Sequence, residues 1–156
     1  MVALAMSLMA TAHLSIAQAG PDAADHNLNV HVHAADNLSV HVVGMRNDKG
    51  RLNCSLFTAN QDFPTNNQHQ ARIATAPIVK GTGTCKYSDV APGTYAVVVF
   101  HDEDNDGKFK RSSLGLPLEG YGFSKDAPAR FRAPRFNEAS FPFTGGSSQI
   151  LIHIRY

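Results

Sequence analysis

Val90-Ala91-Pro92-Gly93-Thr94-Tyr95-Ala96-Val97-Val98-Val99-Phe100 is the stretch that decides the fold. Pro92-Gly93 is a tight-turn pair. The run behind it is continuously apolar, β-branched and aromatic, with no polar face. Such a run predicts a central strand covered on both sides.

Outward from it, strand patterns repeat. Leu38, Val40 and Val42 alternate with Ser39 and His41, and Leu52, Cys54 and Leu56 form a second alternating set beyond the turn residues Asn47-Asp48-Lys49-Gly50. Arg72 to Val79 reads as a strand interrupted by Pro77, which suits a sheet edge. Thr82 to Tyr87 follows. Phe141 and Phe143 precede a Gly145-Gly146 turn, and Ile150, Ile152, Ile154 and Tyr156 then share one face of a last strand. No helical period of useful length occurs after residue 20. About seven short strands joined by Gly/Pro turns predict an all-β, antiparallel, immunoglobulin-like sandwich with Greek-key connections over residues 37–156. The stretch between Phe100 and Phe141 is long and irregular, yet Tyr121, Phe123, Phe131 and Phe136 predict that it is ordered against the sandwich.

Residues 1–19 carry no charge and end in Ala17-Gln18-Ala19, the small-residue pattern of a signal peptidase site before Gly20. A basic start is missing, and a buried or membrane-anchoring helix is the alternative. Residues 20–36 are polar and read as a linker, with His26, His31 and His33 as a weak transition-metal pattern. No later segment is apolar enough to span a bilayer. The chain is therefore expected to be periplasmic or secreted. Its two cysteines, Cys54 and Cys85, then suggest one disulfide, with free thiols or a metal pair as alternatives. A net charge of +1 argues against nucleic acid as a partner. The basic runs Lys108, Lys110, Arg111 and Arg130, Arg132, Arg135 read as solvated faces.

The sharpest chemical feature is His101-Asp102-Glu103-Asp104-Asn105-Asp106-Gly107. Three carboxylates at alternate positions followed by glycine match the first half of a calcium loop, because calcium takes six to eight hard oxygens. Asp102, Asp104, Asp106 and the carbonyl of Lys108 are the candidate ligands, and Glu119 can fold back to complete the shell. Position 12 from Asp102 is Ser113 rather than a bidentate glutamate, so this is no EF-hand. A metal-free acidic turn neutralised by Lys108, Lys110 and Arg111 is the alternative.

Covalent chemistry has little support. Elbow, zincin and phosphate-loop motifs are absent. His101 beside Asp102 is a candidate base, and a Ser124–His101–Asp triad is the only nucleophile arrangement on offer. The glycines of Gly120-Tyr121-Gly122-Phe123-Ser124 read as allowing the chain to pass closely over the sheet.

Three blocks in order, Pro92-Gly93-Thr94-Tyr95-Ala96, His101 to Lys108, and Leu114 to Ser124, resemble a bacterial family of exported proteins of unknown function. The resemblance covers residues 38–156. It implies a small periplasmic or extracellular β-sandwich akin to transthyretin-like or carboxypeptidase-regulatory-like modules. Cys54 and Cys85 fit the members that carry a cysteine pair. The chain departs from the usual pattern in having Asp104 and Asp106 where the family tends to have asparagine, which would strengthen a cation site.

The leading expectation is a binding or interaction module for a protein or envelope ligand. Residues 101–124 would be its working face, with His101, Leu116, Leu118, Tyr121 and Phe123 as the patch and calcium as a structural ion. The alternatives are a small hydrolase using His101 with a loop carboxylate, and a purely structural envelope protein.

Overall fold

The computed structural model describes residues 36–59, 63–64 and 72–156. The signal expected at residues 1–19 and the histidines His26, His31 and His33 of the expected linker lie outside the described residues. Eight strands form two sheets: β1 (Asn37–Val43), β2 (Arg51–Thr58), β3 (Arg72–Ala76), β4 (Thr82–Tyr87), β5 (Gly93–Asp102), β6 (Tyr121–Phe123), β7 (Phe141–Phe143) and β8 (Ser147–His153). One sheet has the order β4-β1-β8 and the other β3-β2-β5-β6, with β7 also on β5. The fold is an all-β sandwich.

Side-chain alternation explains the packing. Leu38, Val40 and Val42 of β1 and Leu52, Cys54 and Leu56 of β2 point into the space between the sheets, with Val97, Val99 and Ile152. Cys54 and Cys85 meet across that space in a disulfide, joining β2 of one sheet to β4 of the other. β3 lies at a sheet edge and ends before Pro77, as a residue without a backbone donor requires.

Two features depart from the expected sandwich. The eighth strand is β6, inside the stretch expected to be irregular. Its composition hides it, because Gly122 has no side chain to declare a strand. A Cβ there would lie 2.8 Å from Ile152 Cγ2 and 2.9 Å from the His153 carbonyl, so only glycine lets β6 approach β8 this closely. The second departure is that β1 and β8 pair in parallel. They come from opposite ends of the domain, so no hairpin dictates their direction.

β5 is buried on both faces, as its sequence predicts. Val97 and Val99 face the sandwich interior. Ala96 belongs to a second, outer cluster with Phe123, Ala127 and Ala139, and Val98, Phe63 and Phe136 pack against it. Ser124 fixes this outer layer. Its hydroxyl donates to the Ala139 carbonyl at 2.6 Å and accepts from the Val97 N–H at 2.9 Å. Ala139 ends a one-turn helix, α1 (Phe136–Ala139). Among the described residues, no helix is long and apolar enough to cross a membrane. Phe131, expected to pack on the sandwich, is instead fully exposed.

Candidate functional site

The acidic loop leaves the end of β5 on the sheet's outer face. Asp102 is fully buried there and acts as a hub. Its Oδ2 accepts from Arg51 Nε at 3.2 Å, Asn53 Nδ2 at 3.0 Å and the Gly107 N–H at 3.0 Å. Its Oδ1 accepts from the Asp106 N–H at 3.1 Å. The register explains the side-chain donors: Arg51 pairs directly with Asp102, and Asn53 is two residues on, on the same face of β2. Asn105 and Gly107 adopt positive φ, 61° and 75°, which closes the turn back onto that carboxylate.

One carboxylate oxygen from each of Asp102, Asp104 and Asp106 lies within 4.8 Å of the other two. The Lys110 ammonium joins this group. It pairs with Asp104 and lies 3.5 Å from Asp106 Oδ2. The Lys110 hydrogen bond holds the Asp104 carboxyl below its usual range, and the same contact raises the Lys110 ammonium. Glu119 does fold back to the loop, but onto the backbone. Its two oxygens accept from the Glu103 N–H at 3.2 Å and the Lys110 N–H at 3.0 Å. Lys108 directs its N–H to Asp106 Oδ1 at 2.8 Å. Burial raises the Glu103 carboxyl, but hydrogen bonds from Asn47 and Arg46 outweigh it and hold the group low.

His101 points the other way, into the end of the sandwich, and is fully buried. Nε2 is 2.7 Å from the Lys49 carbonyl, which only accepts, so Nε2 carries the proton. Nδ1 then accepts from the Tyr156 hydroxyl at 2.7 Å, and that oxygen accepts in turn from the Arg46 N–H at 3.0 Å. Both ring nitrogens are engaged by the scaffold. Ser124 has its own partners, further back along β5.

Tyr121 is half-buried and Phe123 buried in the outer layer, whereas Leu116 and Leu118 are exposed. Leu116, Tyr121 and Phe123, but not Leu118, line a cleft of about 630 Å³ on the outer face of the five-stranded sheet. Val98, Phe100, Tyr121 and Phe123 form its floor. Phe109 and Leu116 from the loop make one wall, and Ala129 to Ala133 the other. The rings meet edge to face, at centroid distances of 5.8 Å for Phe100–Phe109, 5.8 Å for Phe109–Tyr121 and 5.9 Å for Tyr121–Phe123. Four cations line the same cleft: Lys108 and Arg111 on the loop side, Arg130 and Arg132 on the other. Arg132 is bound by Glu138 through two contacts of 2.8 and 2.7 Å. Among the described residues, Lys108, Arg111 and Arg130 have no ion-pair partner.

Sequence reasoning missed Arg51 and Asn53, which declare themselves only through strand register. It also missed Phe100 and Phe109 as parts of one ring surface. Alternation along β5 places Phe100 on the same face as Asp102, and that was the available signal.

Fold and site together define a small two-sheet β-sandwich whose outer face is built over by one long segment into a loop-walled cleft. Residues 40–151 match the family model described as an uncharacterized protein conserved in bacteria, DUF2141, and the chain belongs to that family. No curated protein and no solved structure is detectably similar to it.

Proposed function

We propose that the protein is an exported binding module and that the aromatic cleft is its working face. The observation that carries this reading is the cleft itself. Its volume of about 630 Å³ lies in the range of small-ligand sites, and its lining sets an aromatic floor beside polar and cationic side chains. The uncharged leader and the disulfide support export. The test is saturable binding of a neutral apolar dye, Nile red, to the purified protein. Ser55→Tyr places a ring on the cleft floor in a strand that tolerates aromatics. The expected result is dye binding that falls at least about fivefold in this variant at an unchanged urea midpoint, a loss of roughly 1 kcal/mol. Absence of saturable binding, or binding indifferent to the substitution, overturns the reading.

A second reading, calcium as a structural ion of the loop, is favoured by the convergence of Asp102, Asp104 and Asp106. Calcium there competes with Lys110. Millimolar calcium against EDTA should therefore raise the melting temperature more in Lys110→Met than in the parent protein. Saturation at 100 times the dissociation constant is worth about 2.7 kcal/mol. No shift in either protein leaves the loop as an ion cluster centred on Lys110.

A further inference from the structure

We infer that the cleft takes a small anionic amphiphile with an aromatic body, whose carboxylate or equivalent acid group lies at the basic edge. The inference rests on the reading of the cleft as a binding face and names the chemistry of its occupant.

Two basic runs about twenty residues apart in sequence face each other across one ring-lined cleft. Neither run is notable by itself, because exposed cations usually solvate independently. The cleft changes that. Lys108 and Arg111 come from one wall and Arg130 from the other, and the only carboxylate that neutralises a cation of this group, Glu138, is spent on Arg132 among the described residues. Lys108, Arg111 and Arg130, none of them in an ion pair among the described residues, bring positive charge to one ring-lined depression. The acidic loop offsets this charge only in part: Asp102 is paired with Arg51, Asp104 and Asp106 share the one ammonium of Lys110, and Glu119 meets backbone donors.

The body of the ligand follows from the floor. Phe100, Phe109 and Tyr121 already meet edge to face, and a further ring extends that arrangement more favourably than a flexible chain, which loses rotamer freedom on binding. Arg111 lies over the Phe109 ring with its guanidinium carbon 5.0 Å from the centroid. This presents a planar cation beside the ring surface, in position for an acid group attached to a bound ring. Phe131 and Leu116 stand exposed at the mouth and supply apolar contact beyond the floor.

The probes are naphthalene-2-carboxylate and its neutral counterpart naphthalene-2-methanol, titrated calorimetrically into the purified protein at low salt. Individual exposed ion contacts are weak, so three together predict binding of the carboxylate on the order of tenfold tighter than the alcohol. Raising the salt to half-molar should close most of that gap, because screening acts on the charge alone. Lys108→Ser with Arg130→Ser should bring the two probes within about twofold of each other. Both residues are exposed and carry no ion pair among the described residues, and an unchanged urea midpoint confirms the fold. Equal binding of both probes overturns the anion inference and leaves the cleft reading standing. If neither probe binds, both fall. Co-sedimentation with phosphatidylglycerol vesicles that the carboxylate does not compete away would make a lipid surface the partner and overturn the inference.

Discussion

Replacing Asp102 by alanine tests whether the acidic loop is built on a hub or on three equivalent carboxylates. The magnitude follows from its four donors. Asn53 Nδ2 is buried and loses its acceptor, at about 1–3 kcal/mol for an unsatisfied buried donor. The Asp106 and Gly107 N–H groups lose the bonds that close the turn, at about 1 kcal/mol each. Arg51, 40 % exposed at its side chain, rehydrates and adds little. The sum is about 3–5 kcal/mol, the range found when one partner of a buried charged pair is removed. Asp104 and Asp106 are exposed, so alanine at either should cost under about 1 kcal/mol. The assay is urea unfolding of the purified protein in EDTA, which keeps divalent cations out of the comparison. A cost below about 1 kcal/mol for Asp102→Ala, or equal costs at all three positions, would falsify the hub argument.

Other perturbations give separate checks. Gly50 has φ of +69°, and a Cβ there would come within 1.8 Å of the Asp102 carbonyl. Gly50→Ala should therefore lower stability by more than about 2 kcal/mol in the same unfolding assay, far beyond an ordinary glycine substitution. Reducing Cys54–Cys85, which spans 31 positions in sequence, should lower stability by about 3–4 kcal/mol on the chain-entropy model. An unchanged urea midpoint in dithiothreitol, with reduction verified by thiol labelling, refutes that. Glu138 is held at about 2 against an ordinary 4.5, first by the Arg132 side chain and then by the Arg135 N–H. A depressed acid stabilises the fold above its unfolded value. The contribution of this clamp is thus lost as pH falls from about 5 towards 2. A carbon-detected carboxyl titration should show the low midpoint, and Arg132→Met should bring it back towards the ordinary value. A normal midpoint in the parent protein rejects the clamp.

The sandwich was legible because its strands obey local rules. Leu38, Val40 and Val42 alternate, Pro77 ends an edge strand, and Ala96 to Phe100 run apolar because β5 is covered on both faces. β6 was hidden because its defining property is an absence. Gly120 and Gly122 leave room for Tyr156, Ile154 and Ile152, and that need arises only once β8 lies alongside. The parallel pairing of β1 with β8 was hidden for a related reason, since a period-two pattern has no direction. At the site, convergence of the acids was readable from their spacing. The division of labour among them depends on Arg51 and Asn53, brought in by register from another strand.

That division of labour also explains why an acid-rich loop lies beside an apolar cleft. Asp102 fixes the Gly107 N–H, and Glu119 fixes the Lys110 N–H. Phe109 lies between these two anchored positions and packs on Phe100 and Tyr121 as a wall of the cleft. A loop of this length held only by solvent-exposed bonds would sample many conformations, and a ring at its tip would not form a lasting wall. Two buried carboxylates, each satisfied by backbone donors, give it one conformation. The acids thus act as scaffold for the ring surface, while the cations lining the cleft remain available to a ligand. On this argument Asp102→Asn, which keeps the size but turns an amide towards the donors, weakens naphthalene-2-carboxylate and naphthalene-2-methanol by the same factor. Loss of a cation changes only their ratio.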